Sequence, residues 1–204
     1  MKGRDPGYDV IVRQFSVSAM QERRGWSLLR AGGALLLLTL LIGALAGCAA
    51  ELPPSAFEGG TPEMRPEVFF AGATRSSGVL ESSSGAPTSR FRVEGSGHAL
   101  PDGQFRLDQT VTFDQRPPEA RSWLMQRLDD HHYTATLTDA SGTVEAEVYG
   151  NLFHLRYSMK SPLGGHMEQW LYLQPDGRTV MNEATISVVG VVVARLSERI
   201  THVD

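Results

Sequence analysis

Apolar and polar residues alternate regularly in Phe105-Arg106-Leu107-Asp108-Gln109-Thr110-Val111-Thr112-Phe113, and this alternation is the clearest indication of the fold. The odd-numbered positions are mostly apolar, and the even-numbered positions are polar throughout. Successive side chains of a β-strand point to opposite faces, so this period of two predicts a strand with one buried face and one wet face.

The same alternation occurs in segments 90–95, 133–138 and 143–148, and clusters of Gly, Pro, Asp and Ser separate them. Turn signals about a dozen residues apart predict about eight to ten antiparallel strands joined by hairpins. An open sheet of this length would leave unpaired edges, so the strands are expected to close. The sequence therefore predicts an all-β antiparallel barrel.

Two segments around this pattern carry weaker signals. Residues 63–70 are compatible with a short helix at the domain entrance. Residues 186–196 are apolar on both parities, which predicts one strand covered on both faces and bent at Gly190.

The N-terminal segment predicts a lipoprotein signal peptide over residues 1–47. An apolar run too short to span a bilayer, which needs about 20 residues, precedes Leu45-Ala46-Gly47-Cys48. This lipobox predicts cleavage before Cys48 and attachment of lipid to its thiol, so the membrane is the first predicted partner. Met20 is an alternative start.

The residues after the cysteine bear on which membrane holds the anchor. An aspartate there commonly retains lipoproteins in the inner membrane, but this chain has Ala49 and Ala50. The absence of the aspartate favours the periplasmic face of the outer membrane.

The mature chain divides into a predicted flexible tether over 48–66, rich in Pro and Gly, and a barrel domain over 67–204. From Cys48 onward there are 13 Lys and Arg side chains against 20 Asp and Glu. This acidic balance argues against a nucleic-acid partner and against a polybasic membrane patch.

No catalytic, cofactor or metal constellation is predicted. His131 and His132 are adjacent and point to opposite faces of a strand, and no pair of histidines has a ligand spacing. The glycine-serine runs lack the spacing of a nucleophile elbow. We therefore expect a protein that is not an enzyme.

The candidate ligand-binding residues are aromatic side chains and one arginine on different predicted strands: Trp123, Arg156, Tyr157, Trp170 and Tyr172. A small barrel directs side chains from every strand toward one interior. Either the aromatic residues fill the core, or they line a cavity for an apolar ligand whose head group meets a buried arginine.

Beyond these patterns, the chain resembles a family of Gram-negative lipoproteins known only as a domain of unknown function. The resemblance runs from about residue 68 to the C-terminus and rests on Phe69-Phe70-Ala71-Gly72, Phe91-x-Val93-x-Gly95, Leu107-Asp108-Gln109, Arg121-x-Trp123, Gly150-Asn151, Arg156-Tyr157 and Trp170-Leu171-Tyr172-Leu173. It implies a lipocalin-like barrel whose gene lies near genes for fatty-acid modification. Leu155, Leu171 and Val188-Val189 depart from the family pattern.

The leading functional hypothesis is a lipid-anchored envelope protein that binds or handles an apolar ligand, such as a fatty acid or lipid, without catalysis. One alternative is a packed barrel that acts as a structural or protein-interaction module, whose partners the sequence does not identify. The other is a lipid-modifying enzyme, which predicts that Arg156, His154 and Tyr157 gather at a cavity.

Overall fold

A computed structural model describes residues 52–114, 116–160 and 164–203 of the chain. The predicted signal peptide and the lipidation site at Cys48 lie outside the described residues. The described elements are a 3₁₀ turn at Pro54–Phe57, helix α1 at Pro66–Phe69, and strands β1 Gly72–Ser82, β2 Pro87–Ala99, β3 Phe105–Phe113, β4 Glu119–Arg127, β5 His132–Leu137, β6 Val144–Tyr149, β7 Leu152–Met159, β8 Gly165–Leu173, β9 Thr179–Val188 and β10 Val191–Val203.

The ten strands form one closed antiparallel barrel. Each strand pairs with its neighbours in sequence, and β1 pairs with β10 from Ala73 opposite Val203 to Ser82 opposite Ala194. This confirms the prediction of an all-β, lipocalin-like antiparallel barrel of about eight to ten strands. Each of the described strands pairs with a neighbour on both sides, so none of them is left as an open sheet edge.

The barrel interior is built from the apolar parity of each strand. On β3, Phe105 and Leu107 are buried while Arg106 between them is exposed. The same alternation on β5 buries Tyr133, Ala135 and Leu137. Period-two patterning in the sequence therefore produces a single interior that the residues from all strands share.

The segment over 54–66 is packed against the barrel, so the prediction of a flexible tether is wrong for these residues. Met64 is fully buried, and its backbone N–H donates a 2.7 Å hydrogen bond to the Gly150 carbonyl. The Phe57 ring lies 5.5 Å from the Tyr172 ring. A Cβ on Gly150 would lie 2.1 Å from the Phe57 carbonyl oxygen, so glycine permits the close approach. We call residues 54–66 the strap.

The strap leads into helix α1, which falls inside the helix predicted over 63–70. Phe69 and Phe70 are buried, with their rings 5.0 Å apart in an edge-to-face arrangement. They join the main core cluster together with Met64. We call these three residues the plug, and the barrel end at which β1 begins the plugged end.

The opposite end, which we call the rim, carries the hairpin between β9 and β10. The prediction of one bent strand over 186–196 is wrong, because Val189 and Gly190 both have positive φ, 51° and 75°, and reverse the chain. Two successive residues of positive φ match the twist of a tight hairpin. Val189 is 94% exposed, so the expected burial on both faces is also wrong.

Candidate functional site

The barrel encloses a cavity of about 260 Å³ between the plugged end and the rim. Phe70 of the plug contributes to its wall, and so does Arg116, which lies exposed in the β3–β4 loop at the rim. The wall is mostly apolar. Its aliphatic and aromatic contributors include Phe91, Val93, Leu107, Val111, Trp123, Phe153, Leu155, Ile186 and Leu196.

Five hydrogen-bonded polar side chains follow one another along five neighbouring strands, and four of them line the cavity. The Glu198 carboxylate accepts a hydrogen bond of 2.5 Å from the Ser76 hydroxyl and one of 2.9 Å from the Asn182 amide. The same Asn182 amide donates to the Gln169 side-chain oxygen at 3.1 Å, and the Gln169 amide donates to the Tyr157 hydroxyl at 3.1 Å. We call these five residues the polar belt.

Tyr157 ends the belt on β7 and is held by its surroundings. Its ring meets the Trp123 ring edge to face at 5.8 Å. Burial raises the pKa of Tyr157 to about 12, so the hydroxyl is neutral at physiological pH. Trp123 donates its indole N–H to the Gln109 side-chain oxygen at 2.9 Å, which fixes a further polar group on the cavity wall.

A charged pair lies beside the belt. Arg121 faces the cavity from β4, two residues before Trp123, and donates to the Asp139 carboxylate at 2.6 Å. The other Asp139 oxygen is buried and has no hydrogen-bond partner. Arg121 therefore brings a partly neutralised positive charge to an otherwise mostly apolar wall.

The structure places the five sequence-predicted residues in two different environments. Trp123 lines the cavity, and Tyr157 is buried in the barrel core but is not one of the residues that line the cavity. Arg156 lies on the outer face, where its side chain is 56% exposed and its guanidinium lies 3.9 Å from Glu147. The expectation of a buried arginine at this position is therefore wrong, because the alternation of β7 sends Arg156 outward.

Trp170 and Tyr172 also point outward, since β8 places Leu171 between them in the interior. Both pack beside Phe57 of the strap, with ring centroids 6.5 Å and 5.5 Å away. These two aromatic residues hold the strap and do not line the cavity.

His154 occupies a separate polar cluster on the outer face of β7. It is buried, with Nδ1 3.0 Å from a Glu147 oxygen, Nε2 2.8 Å from a Glu168 oxygen, and its ring 4.2 Å from Trp170. His154, Arg156 and Tyr157 therefore do not gather at one cavity, as the enzyme alternative required.

Among residues 52–114, 116–160 and 164–203, no group of three His, Cys, Asp or Glu side chains is arranged to hold a metal ion. Within the same part of the chain, no helix has the length and apolar character to cross a bilayer.

Most of the polar residues that line the cavity were not predicted from the sequence. Gln109 was visible as the one polar residue on the apolar parity of β3, and Arg121 shares its parity with Trp123 and Met125. Asn182 and Glu198 had no comparable signal, because the alternation of β9 and β10 is not regular enough to assign an inner face. A polar residue at a strand position where the alternation predicts a buried apolar one is thus the sequence signal for such a site.

The fold and the cavity define a closed antiparallel barrel with an internal, mostly apolar site. The chain belongs to the family described as "Protein of unknown function (DUF3833)", whose model matches residues 42–202. This confirms the part of the resemblance that concerned a domain of unknown function.

No curated protein matches the sequence. Among solved structures, the S-type phycobiliprotein lyase CPES from Guillardia theta is similar, with a TM-score of 0.54 and 10% sequence identity. The similarity covers 69% of this chain and 94% of that chain. At this identity the likeness supports the barrel fold alone.

Proposed function

We propose that this protein is a lipid-anchored envelope protein whose barrel binds an apolar, lipid-like ligand in its interior without catalysis. The observation that carries the proposal is the cavity of about 260 Å³ with a mostly apolar wall. A dry engineered cavity of about 150 Å³ already binds benzene, so this interior has room for a larger apolar group. A few fixed polar groups within an apolar wall are typical of sites that orient a ligand.

The absence of catalysis is part of the proposal and rests on the arrangement of the polar groups. The described polar side chains of the cavity are mostly engaged with one another, as in the pairs Trp123–Gln109 and Arg121–Asp139. The histidine with two carboxylate partners, His154, lies on the outer face of the barrel. This separation supports binding over acid–base chemistry at the cavity.

A cavity-filling substitution tests the proposal. The sample is the chain from residue 49 onward, because the closed barrel and the strap lie entirely within residues 53–204, which form a compact unit. It is incubated with lipid extracted from the envelope, repurified, and analysed for organic-soluble material by mass spectrometry. We expect uptake by the wild type and by Thr112→Trp, which points outward on β3, and no uptake by Val111→Trp, which fills the cavity. Equal uptake by both variants, or none by the wild type, contradicts the proposal.

The anchor and the location are proposed from the sequence, since the lipobox ends at Cys48. We expect the full chain to incorporate a clickable palmitate analogue and to fractionate with the outer membrane, and Cys48→Ser to lose the label. Label retained by Cys48→Ser would contradict lipidation at this thiol. Wild-type protein in the inner-membrane fraction would contradict the proposed location.

A second candidate function is contact with an envelope protein through the rim, and one observation favours it. Val189, Val191 and Val193 are exposed side by side along the β9–β10 hairpin. Exposed apolar patches of this kind often mark interaction sites. Cross-linking in intact membranes should recover one stoichiometric partner with the wild type and not with Val191→Asp. Absence of such a partner would eliminate this candidate.

A further inference from the structure

The polar belt contains an acidic site that has no cationic counterpart. Glu198 on β10 projects into the cavity between Leu196 and Ile200, which also line it. Both carboxylate oxygens accept hydrogen bonds from neutral groups, Oε1 from Ser76 and Oε2 from Asn182. None of the ion pairs among the described residues involves Glu198.

Asn182 beside it has an unused acceptor. Its side-chain amide nitrogen donates twice, to Glu198 and to Gln169. Its side-chain oxygen is buried and has no hydrogen-bond partner. The residue is only 2% exposed and lines the cavity. A buried acceptor without a donor is costly, so this oxygen needs a donor from the contents of the cavity.

Taken together, the two residues present acceptors and no free donor on one patch of an apolar wall. Each Glu198 carboxylate oxygen accepts one hydrogen bond here and can accept another. The Asn182 side-chain oxygen accepts none, so both of its lone pairs are free. A ligand carboxylate placed against this patch would meet like charge and an unmatched acceptor. A hydroxyl or an ammonium group would supply the missing donors.

We propose that the ligand of this barrel carries a hydrogen-bond-donating head group, a hydroxyl or an ammonium, which binds the Glu198–Asn182 pair while its apolar chain fills the rest of the cavity. This inference rests on the proposed binding function and narrows it. The carboxylate of a fatty acid, which is one of the apolar ligands considered from the sequence, does not match these acceptors.

The two arginines of the cavity wall do not offer a carboxylate a binding site that matches the one the Glu198–Asn182 pair offers a donor. Arg121 already donates to Asp139 at 2.6 Å. Arg116 lies exposed at the rim, over the face of the Phe113 ring, so an anion there would remain in contact with water. A carboxylate bound at either arginine is the competing outcome of the experiment.

Three ligands with the same chain and different head groups test the inference: 1-octanol, octylamine and octanoate. Calorimetric titration at neutral pH uses the chain from residue 49, as before. We expect octanol and octylamine to bind at least about tenfold more tightly than octanoate, because charge-assisted and matched hydrogen bonds replace repulsion.

Two variants locate the effect. Glu198→Gln keeps the size of the side chain and should weaken octylamine binding about tenfold while strengthening octanoate binding. Asn182→Leu removes the unused acceptor and should weaken octanol binding by about fivefold. Glu183→Gln is the matched control, because Glu183 lies next to Asn182 on β9 but is exposed outside the barrel, bonded to Ser197. It should leave all three affinities unchanged.

The order of the three ligand affinities is measured on the wild-type protein. The inference can therefore be tested even if a variant fails to fold. Octanoate that binds as tightly as octanol and octylamine, or a ranking unchanged in Glu198→Gln, overturns the head-group inference and leaves the binding function in place. Failure of all three ligands and of the envelope lipid extract to bind would instead count against the proposed function itself.

Discussion

Replacing Met64 with alanine should destabilise the barrel by about 3.5 kcal/mol, because the strap is part of the folded core. Met64 is fully buried between the strap and the barrel and belongs to the main core cluster. A residue in a flexible tether would contribute almost nothing, so this substitution separates the two descriptions of residues 54–66.

The magnitude follows from the atoms that are lost. Alanine lacks the last three heavy atoms of methionine, and each buried group of this size contributes about 0.8 kcal/mol, or roughly 2.4 kcal/mol in total. A residual cavity of about 50 Å³ adds about 1 kcal/mol at 24 cal/mol per Å³. The hydrogen bond from the Met64 N–H to Gly150 at 2.7 Å keeps the strap from collapsing into the space.

Urea denaturation monitored by circular dichroism measures the free energy of unfolding of Met64→Ala against the wild type at equal m-value. The matched control is Val68→Ala in helix α1, where the side chain is 60% exposed. We expect the control to change stability by less than about 0.5 kcal/mol. A Met64→Ala protein within the same 0.5 kcal/mol of the wild type would refute the packed strap.

Substitutions at three further residues probe the plug, the outer histidine and the polar belt. Gly97→Ala should cost about 3 kcal/mol in urea denaturation, because its Cβ would lie 2.0 Å from the Phe70 carbonyl oxygen, which belongs to the backbone and cannot rotate away. His154→Ala should cost about 3 kcal/mol in the same assay, since it leaves two facing carboxylates without the ring between them, and His154→Gln should cost less. The raised pKa of Tyr157, about 12 against an ordinary 10.0, stabilises the fold below pH 10 and loses this effect as the pH rises through 12. Tyr157→Phe should therefore flatten the fall in stability across that range.

Each of these expectations has a contradicting result. A Gly97→Ala protein as stable as the wild type would mean that the plug does not contact β2. His154→Gln as destabilised as His154→Ala would mean that lost ring packing outweighs the hydrogen bonds. An unchanged alkaline profile in Tyr157→Phe would show that Tyr157 does not titrate in a buried setting.

The barrel was predictable from the sequence because its strands alternate cleanly. The segment chosen from the pattern, 105–113, coincides with β3 and its buried face. The hairpin between β9 and β10 was missed because Val189 and Gly190 extend an apolar run, and only their positive φ values show that the chain turns there.

The strap and the cavity were harder to predict for a different reason. Proline and glycine in residues 54–66 suggested a tether, whereas Phe57 and Met64 anchor the segment through contacts with strands far away in sequence. Likewise, Trp170 and Tyr172 looked like interior aromatics, but the strap covers them on the outer face. Such long-range contacts leave no periodic signal.

Native mass spectrometry of the chain from residue 49, expressed in its source organism and purified without detergent, tests directly whether the barrel interior holds a ligand. We expect a reproducible added mass that organic solvent removes and that is missing from Val111→Trp. A bare protein mass for the wild type, unchanged after incubation with total envelope lipid, would contradict a ligand-binding interior.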